Sequence, residues 1–161
     1  MLACLIPGAA GAGTSASRVA LVIGVQDYNP GEITTARAGA EAVSRSLHDL
    51  GFEIVNPLSP GEPLINPNAA QIRSALAALQ TRSQNARDVV VFFQGHGFQY
   101  GSDQYLVPLD VPLAALQTEG IGRYIALGEL VMAARAQNRV IFIDACRNPN
   151  APPGPLPPGA P

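Results

Sequence analysis

Three runs in this chain leave little choice of fold. Arg18-Val-Ala-Leu-Val-Ile-Gly24, Asp88-Val-Val-Val-Phe-Phe93 and Arg139-Val-Ile-Phe-Ile-Asp144 are almost unbroken stretches of β-branched and aromatic residues. A strand with one wet face alternates apolar with polar. A strand without that alternation is covered on both faces, as in the interior of a parallel sheet. The intervening segments carry the helical period instead. Ala36, Ala40, Val43, Leu47 and Leu50 recur at three- and four-residue steps and stop at Gly51, which predicts an amphipathic helix over 36–50. Ile72, Leu76 and Leu79 form the buried stripe of a second helix, with Asn66 as its N-cap and Pro67 in its first turn. Leu127 to Ala136 reads as a third helix, Phe52 to Val55 as a short strand, and Gln104 to Val107 as a short extended piece. Strands alternating with helices predict an α/β domain with a mostly parallel sheet and helices on both faces.

Composition narrows the class. The chain has 161 residues, is 47% hydrophobic and 14% charged, and has a formal charge of -2. That suits one globular domain and offers no basic surface for nucleic acid or anionic lipid. No apolar run is long enough to span a bilayer. Residues 1–17 are small and apolar, either the remnant of an export signal or a flexible tail. No Lys or Arg precedes Arg18, and Pro7-Gly8 interrupts the apolar run. The compartment therefore stays open between cytoplasmic and exported. The folded domain is expected over 18–149, followed by a Pro-rich, extended tail over 150–161. Cys4 and Cys146 are the two cysteines, and a disulfide between them would tie a loose terminus to the core, so Cys146 reads as a free thiol.

In a parallel sheet, functional groups collect beyond the carboxyl ends of the strands. The second long run passes into Gln94-Gly95-His96-Gly97 and the third into Ala145-Cys146-Arg147. If these strands are neighbours, an imidazole and a thiol emerge at one rim. A thiol needs a base to yield thiolate at neutral pH, and an imidazole can take that proton and return it to a leaving amine. The Gly97 N–H is a candidate oxyanion donor. His48 falls on the solvated face of the first helix, and Asp27 is too isolated to be given a role.

Phe93-Gln94-Gly95-His96-Gly97 resembles the histidine motif of caspases, metacaspases and their bacterial relatives, and Asp144-Ala145-Cys146-Arg147-Asn148 resembles their cysteine motif. The two functional residues are 50 positions apart, the spacing known for caspases. The opening strand, Leu50-Gly51-Phe52-Glu53 and Tyr105-Leu106-Val107-Pro108-Leu109-Asp110 extend the resemblance over roughly 18–149. It implies a caspase-haemoglobinase fold, here its large-subunit portion, and a cysteine endopeptidase working through an acyl-enzyme on Cys146. His96 would be the acid/base, and the N–H groups of Gly97 and Cys146 the oxyanion hole. Asp144, with Gln94 beside it, would line a pocket for a basic Arg or Lys side chain at P1, the substrate residue before the cleaved bond. No cofactor or metal is implied. The sequence does not support Ca²⁺ activation, because no carboxylates cluster here as a Ca²⁺ site would require.

Two pocket positions depart from the pattern. Gly39 aligns with an Asp that relatives use for a basic P1, and Gln94 stands where Ser is common. Arg37 offers a weaker alternative, a partner for an acidic P1. Related domains also continue past the cysteine strand with a portion that completes the sheet. A truncated chain, a second subunit and a reduced family member would each account for the Pro-rich segment found instead. Where no second subunit supplies that portion, the last strand is expected to be an open edge prone to self-association. The expected partner is a protein or peptide substrate. A non-enzymatic module that pairs with another chain is the alternative, whereas a nucleotide-binding domain fits poorly because Gly8 to Gly13 precede the first strand.

Overall fold

The computed structural model describes residues 17–111 and 120–145. Cys4, Cys146, residues 1–16 of the segment expected over 1–17 and the tail expected over 150–161 lie outside the described residues. Element order is β1 (Arg18–Gly24), α1 (Ala36–Asp49), β2 (Glu53–Ile54), β3 (Leu64–Ile65), α2 (Ala69–Ser83), β4 (Asp88–Gln94), β5 (Gly97–Tyr100), β6 (Asp103–Leu106), a 3-10 turn (Ile121–Arg123), β7 (Ile125–Ala126), α3 (Leu127–Ala133) and β8 (Asn138–Asp144). The three long apolar runs are the three long strands. They lie side by side in a parallel sheet of order β2-β1-β4-β8, and β3 continues the β2 edge of β1. The fold is the α/β class that the strand pattern predicts.

Side-chain parity divides the core. Val19, Leu21 and Ile23 of β1 face the same way as Val89, Val91 and Phe93 of β4. They pack with Ile72, Leu76 and Leu79 of α2 and Leu130 of α3 in the main core. On the other face α1 lies across β1, β2 and β4, where Ala20, Ile54 and Val90 form a smaller cluster with Leu47 and Phe52. The fully buried stripe of α1 is Ala36, Ala40 and Ser44, whereas Leu50 is exposed. The helix is cut short by Gly51 before Leu50 can turn inward. Because α1 stops at β4, no helix among the described residues covers that face of β8, and Val140 and Phe142 stand 44% and 56% exposed. Among the described residues β8 pairs only with β4 and is the last strand of the sheet on that side.

Three local expectations change. The piece expected over 104–107 is half of a hairpin. β5 and β6 pair antiparallel about a two-residue turn, Gly101-Ser102, and β7 adds a third strand. β3 interrupts what read as a plain connection over 56–67. Asn66 does not cap α2. Asn68 does, its Oδ1 accepting the Gln71 N–H at 2.8 Å while Gln71 Oε1 accepts the Asn68 N–H at 2.9 Å. This reciprocal box satisfies two helix-end donors at once, which the arrangement centred on Asn66 could not. No helix among the described residues is long and apolar enough to cross a membrane.

Candidate active site

The site is organised by the register of β4 against β8. Gln94 stands opposite Asp144, and the Gly95 N–H donates to the Asp144 carbonyl at 3.2 Å, one residue beyond the formal strand. The two motifs singled out in the sequence thus leave the same rim on adjacent strands. His96 follows two residues after Gln94, as Cys146 follows two residues after Asp144. Cys146 itself lies outside the described residues.

His96 is held at three points. Its ring lies against Tyr28, centroids 4.4 Å apart and planes inclined at 44°. Its backbone N–H donates to the Tyr28 hydroxyl at 3.0 Å, and that hydroxyl donates onward to the Val107 carbonyl at 2.7 Å. The Val107 N–H in turn donates to the His96 carbonyl at 3.0 Å. His96–Val107 therefore continues the β5–β6 pairing one step beyond its first pair, Gly97–Leu106, as a hydrogen-bonded pair in which the phenol hydroxyl bridges one of the two bonds. Burial pushes the Tyr28 phenol well above its ordinary pKa, so it stays a neutral donor. The third point is the Nε2 atom, 2.6 Å from the Gly31 carbonyl oxygen. A carbonyl only accepts, so Nε2 carries the proton, and the neutral ring has its lone pair on Nδ1. Gly31 is needed where it is. Its φ is +106°, and a Cβ there would stand 3.0 Å from Nε2.

Tyr28 and Gly31 were not picked out from the sequence. The signal was topological: the loop after β1 becomes a neighbour of His96 only because β1 lies beside β4. His48 is exposed on α1, as its place in the helix pattern suggested.

The two departures from the family pattern turn out to be one feature. A Cβ on Gly39 would collide with the Gln94 Oε1 atom. The longer side chain on β4 fills the room left by the missing one on α1. That Oε1 is buried and has no hydrogen-bond partner among the described residues. Asp144 is exposed, and its carboxylate has no partner among them either. Gly97 opens β5 and is buried. Beside it a small hollow of about 50 Å³ runs between Phe98 and Tyr105 on one side and Ile143 and Ala145 on the other.

Among curated proteins none matches the chain. A family model described as the caspase domain matches residues 17–158, a span that takes in the parallel sheet, the His96 loop and the cysteine motif together. The chain belongs to the caspase-domain family, a family of cysteine peptidases.

Proposed function

We propose that this chain is a cysteine endopeptidase with Cys146 as nucleophile and His96 as acid/base. The observation that carries it is the in-register pairing of Gln94 with Asp144. Adjacent parallel strands lie about 4.8 Å apart, so residues two places beyond each partner start from neighbouring points on one rim. With Nε2 committed to Gly31, Nδ1 is the atom that takes the thiol proton. The thiolate attacks the peptide carbonyl and forms the C–S bond. The proton on Nδ1 then passes to the amine as the C–N bond breaks, leaving an acyl-enzyme that water hydrolyses with His96 now acting as base.

Gly97 supports an oxyanion role. Hydrogen-bonded pairs alternate along an antiparallel ladder, and His96–Val107 is one of them. The next pair, Gly97–Leu106, is then of the other kind, with its N–H aimed away from β6. The Cys146 N–H would be the second donor. The exposed Asp144 carboxylate favours a basic P1 residue, with Gln94 Oε1, which has no partner among the described residues, as a neutral acceptor nearby.

The test is to offer peptides with Arg, Lys or Asp at P1 to the purified chain, with and without Ca²⁺, alongside an irreversible thiol probe. Labelling at Cys146 should fall when His96 is replaced by Ala, and turnover should vanish in Cys146→Ala. Unchanged labelling in His96→Ala would sink the dyad. A second reading, a non-enzymatic module that pairs with a second subunit or another copy, is favoured by the outer edge of β8, unpaired among the described residues, and by its exposed Val140 and Phe142. Probe labelling without turnover, together with concentration-dependent association weakened by Phe142→Lys, would select it.

A further inference from the structure

We infer that Asn66 is a positioning residue for His96, acting through the loop that follows β1. The inference rests on the proposed role of His96 as acid/base. Asn66 comes directly after β3, and its N–H donates to the Gly24 carbonyl at 2.8 Å. It is the one non-glycine residue with positive φ among the described residues, at +51°. Asn adopts that left-handed conformation more readily than most side chains. The conformation turns its amide away from α2, which Asn68 already caps, and towards the chain leaving β1. There Oδ1 accepts the N–H groups of Gln26 and Asp27 at 2.7 and 3.1 Å, and Nδ2 donates to Asp27 Oδ2 at 2.6 Å. One side chain thus fixes two successive residues at the base of the loop.

From that base the loop is closed by a single atom. The Gln26 carbonyl accepts from both the Tyr28 N–H and the Ile33 N–H, each at 2.9 Å. Tyr28, the first of those donors, and Gly31, which lies between them, are the two residues that grip His96. Asn66 therefore sets where Gln26 points, Gln26 sets the loop, and the loop sets the Gly31 carbonyl that keeps the proton on Nε2. Asp27, which the sequence left without a role, is the side-chain partner that orients the Asn66 amide.

Two histidines in the chain make this measurable. Side-chain ¹⁵N resonances of His96, told from those of His48 by the His96→Ala variant, report which ring nitrogen is protonated. The full chain is compared with Asn66→Gly, which keeps the left-handed backbone but loses the amide, and with Asn66→Asp. The double variant Asp27→Asn/Asn66→Asp exchanges donor and acceptor while keeping every bond. We expect Asn66→Gly to retain its circular dichroism but show mixed His96 tautomers and a displaced pH profile for Cys146 alkylation. Its alkylation rate at neutral pH should fall on the order of tenfold or more, since small misplacements of a reacting group carry losses of that size. Asn66→Asp should behave similarly, and the double variant should recover the native tautomer and profile. Native His96 resonances and titration in folded Asn66→Gly would overturn the inference. If Asn66→Gly does not fold, a double variant no closer to native than Asn66→Asp overturns it. Should His96→Ala alkylate like the native chain, the dyad reading fails, while the His96 resonances still decide the role of Asn66.

Discussion

Replacing Tyr28 with Phe removes one oxygen atom from the wall behind His96, and the structure sets the size of the consequence. That oxygen accepts one backbone hydrogen bond and donates another. Tyr28 is 8% exposed and Val107 only 1%, so water cannot easily replace what is lost. Each bond contributes roughly 1 kcal/mol net, and each buried polar group left without a partner costs roughly 1–3 kcal/mol. Phe regains a little by being less costly to desolvate. The balance is a loss of about 2–3 kcal/mol, which for a chain of this length lowers Tm by roughly 5–10 °C. Urea unfolding followed by far-ultraviolet circular dichroism should show a lower midpoint at unchanged slope, the mark of a stability change without a change in compactness. Tyr105→Phe serves as the comparison, because Tyr105 is only partly buried and packs by its ring face against Phe98. A Tyr28→Phe loss under about 0.5 kcal/mol, the range of an ordinary surface substitution, would refute the claim that the hydroxyl completes the β5–β6 ladder.

Gly39 and Gln94 should be coupled. In a helix interior Gly→Ala ordinarily stabilises by about 0.5–1 kcal/mol. That gain should appear for Gly39→Ala in a Gln94→Ser background and be cancelled or reversed in the native one, where the new methyl displaces Oε1. Additive effects in the four-member cycle would contradict the packing. Asp88 ties three strands at their amino ends, accepting from Arg87, Arg18 and Asn138. Its hydrogen bond from Arg87, then that from Asn138, lowers its carboxyl from the ordinary 3.8 to about 2. A carboxyl lowered on folding stabilises the folded state above its unfolded pKa, and that share is lost as pH falls from 3.8 towards 2. The Tm of Asp88→Asn should therefore lie below native at neutral pH and converge with it near pH 2. A gap that persists undiminished in acid would rule the charge out as the cause.

How much of this was legible beforehand depended on the range of the interaction involved. His96 was legible because Gly95-His96-Gly97 directly follows a run that can only be a buried strand. The α2 cap was misread by two residues, since Asn66 and Asn68 are equally good caps in isolation. Only the reciprocal bond from Gln71 decides between them. Gly39 and Gln94 looked like two separate losses from the pocket, because nothing local says that a residue on α1 faces one on β4. The hairpin of β5 and β6 was half seen, since Gln99, Tyr100, Asp103 and Gln104 carry no hydrophobic alternation.

By itself the sequence determined the three long strands, the helices and the class of fold, and it singled out the two residues of the expected dyad. Each of these is written in periodicity or in a contiguous motif, where covalent neighbours suffice. The tertiary structure alone decided that β1 lies between β2 and β4, and so brought the loop 26–33 to His96. It decided too which nitrogen of that ring faces a carbonyl, and which groups Asn66 and Asp27 meet. Those outcomes depend on single hydrogen bonds between residues 39 to 68 positions apart, and hydrogen-bond geometry at that separation exists only after the sheet has been assembled.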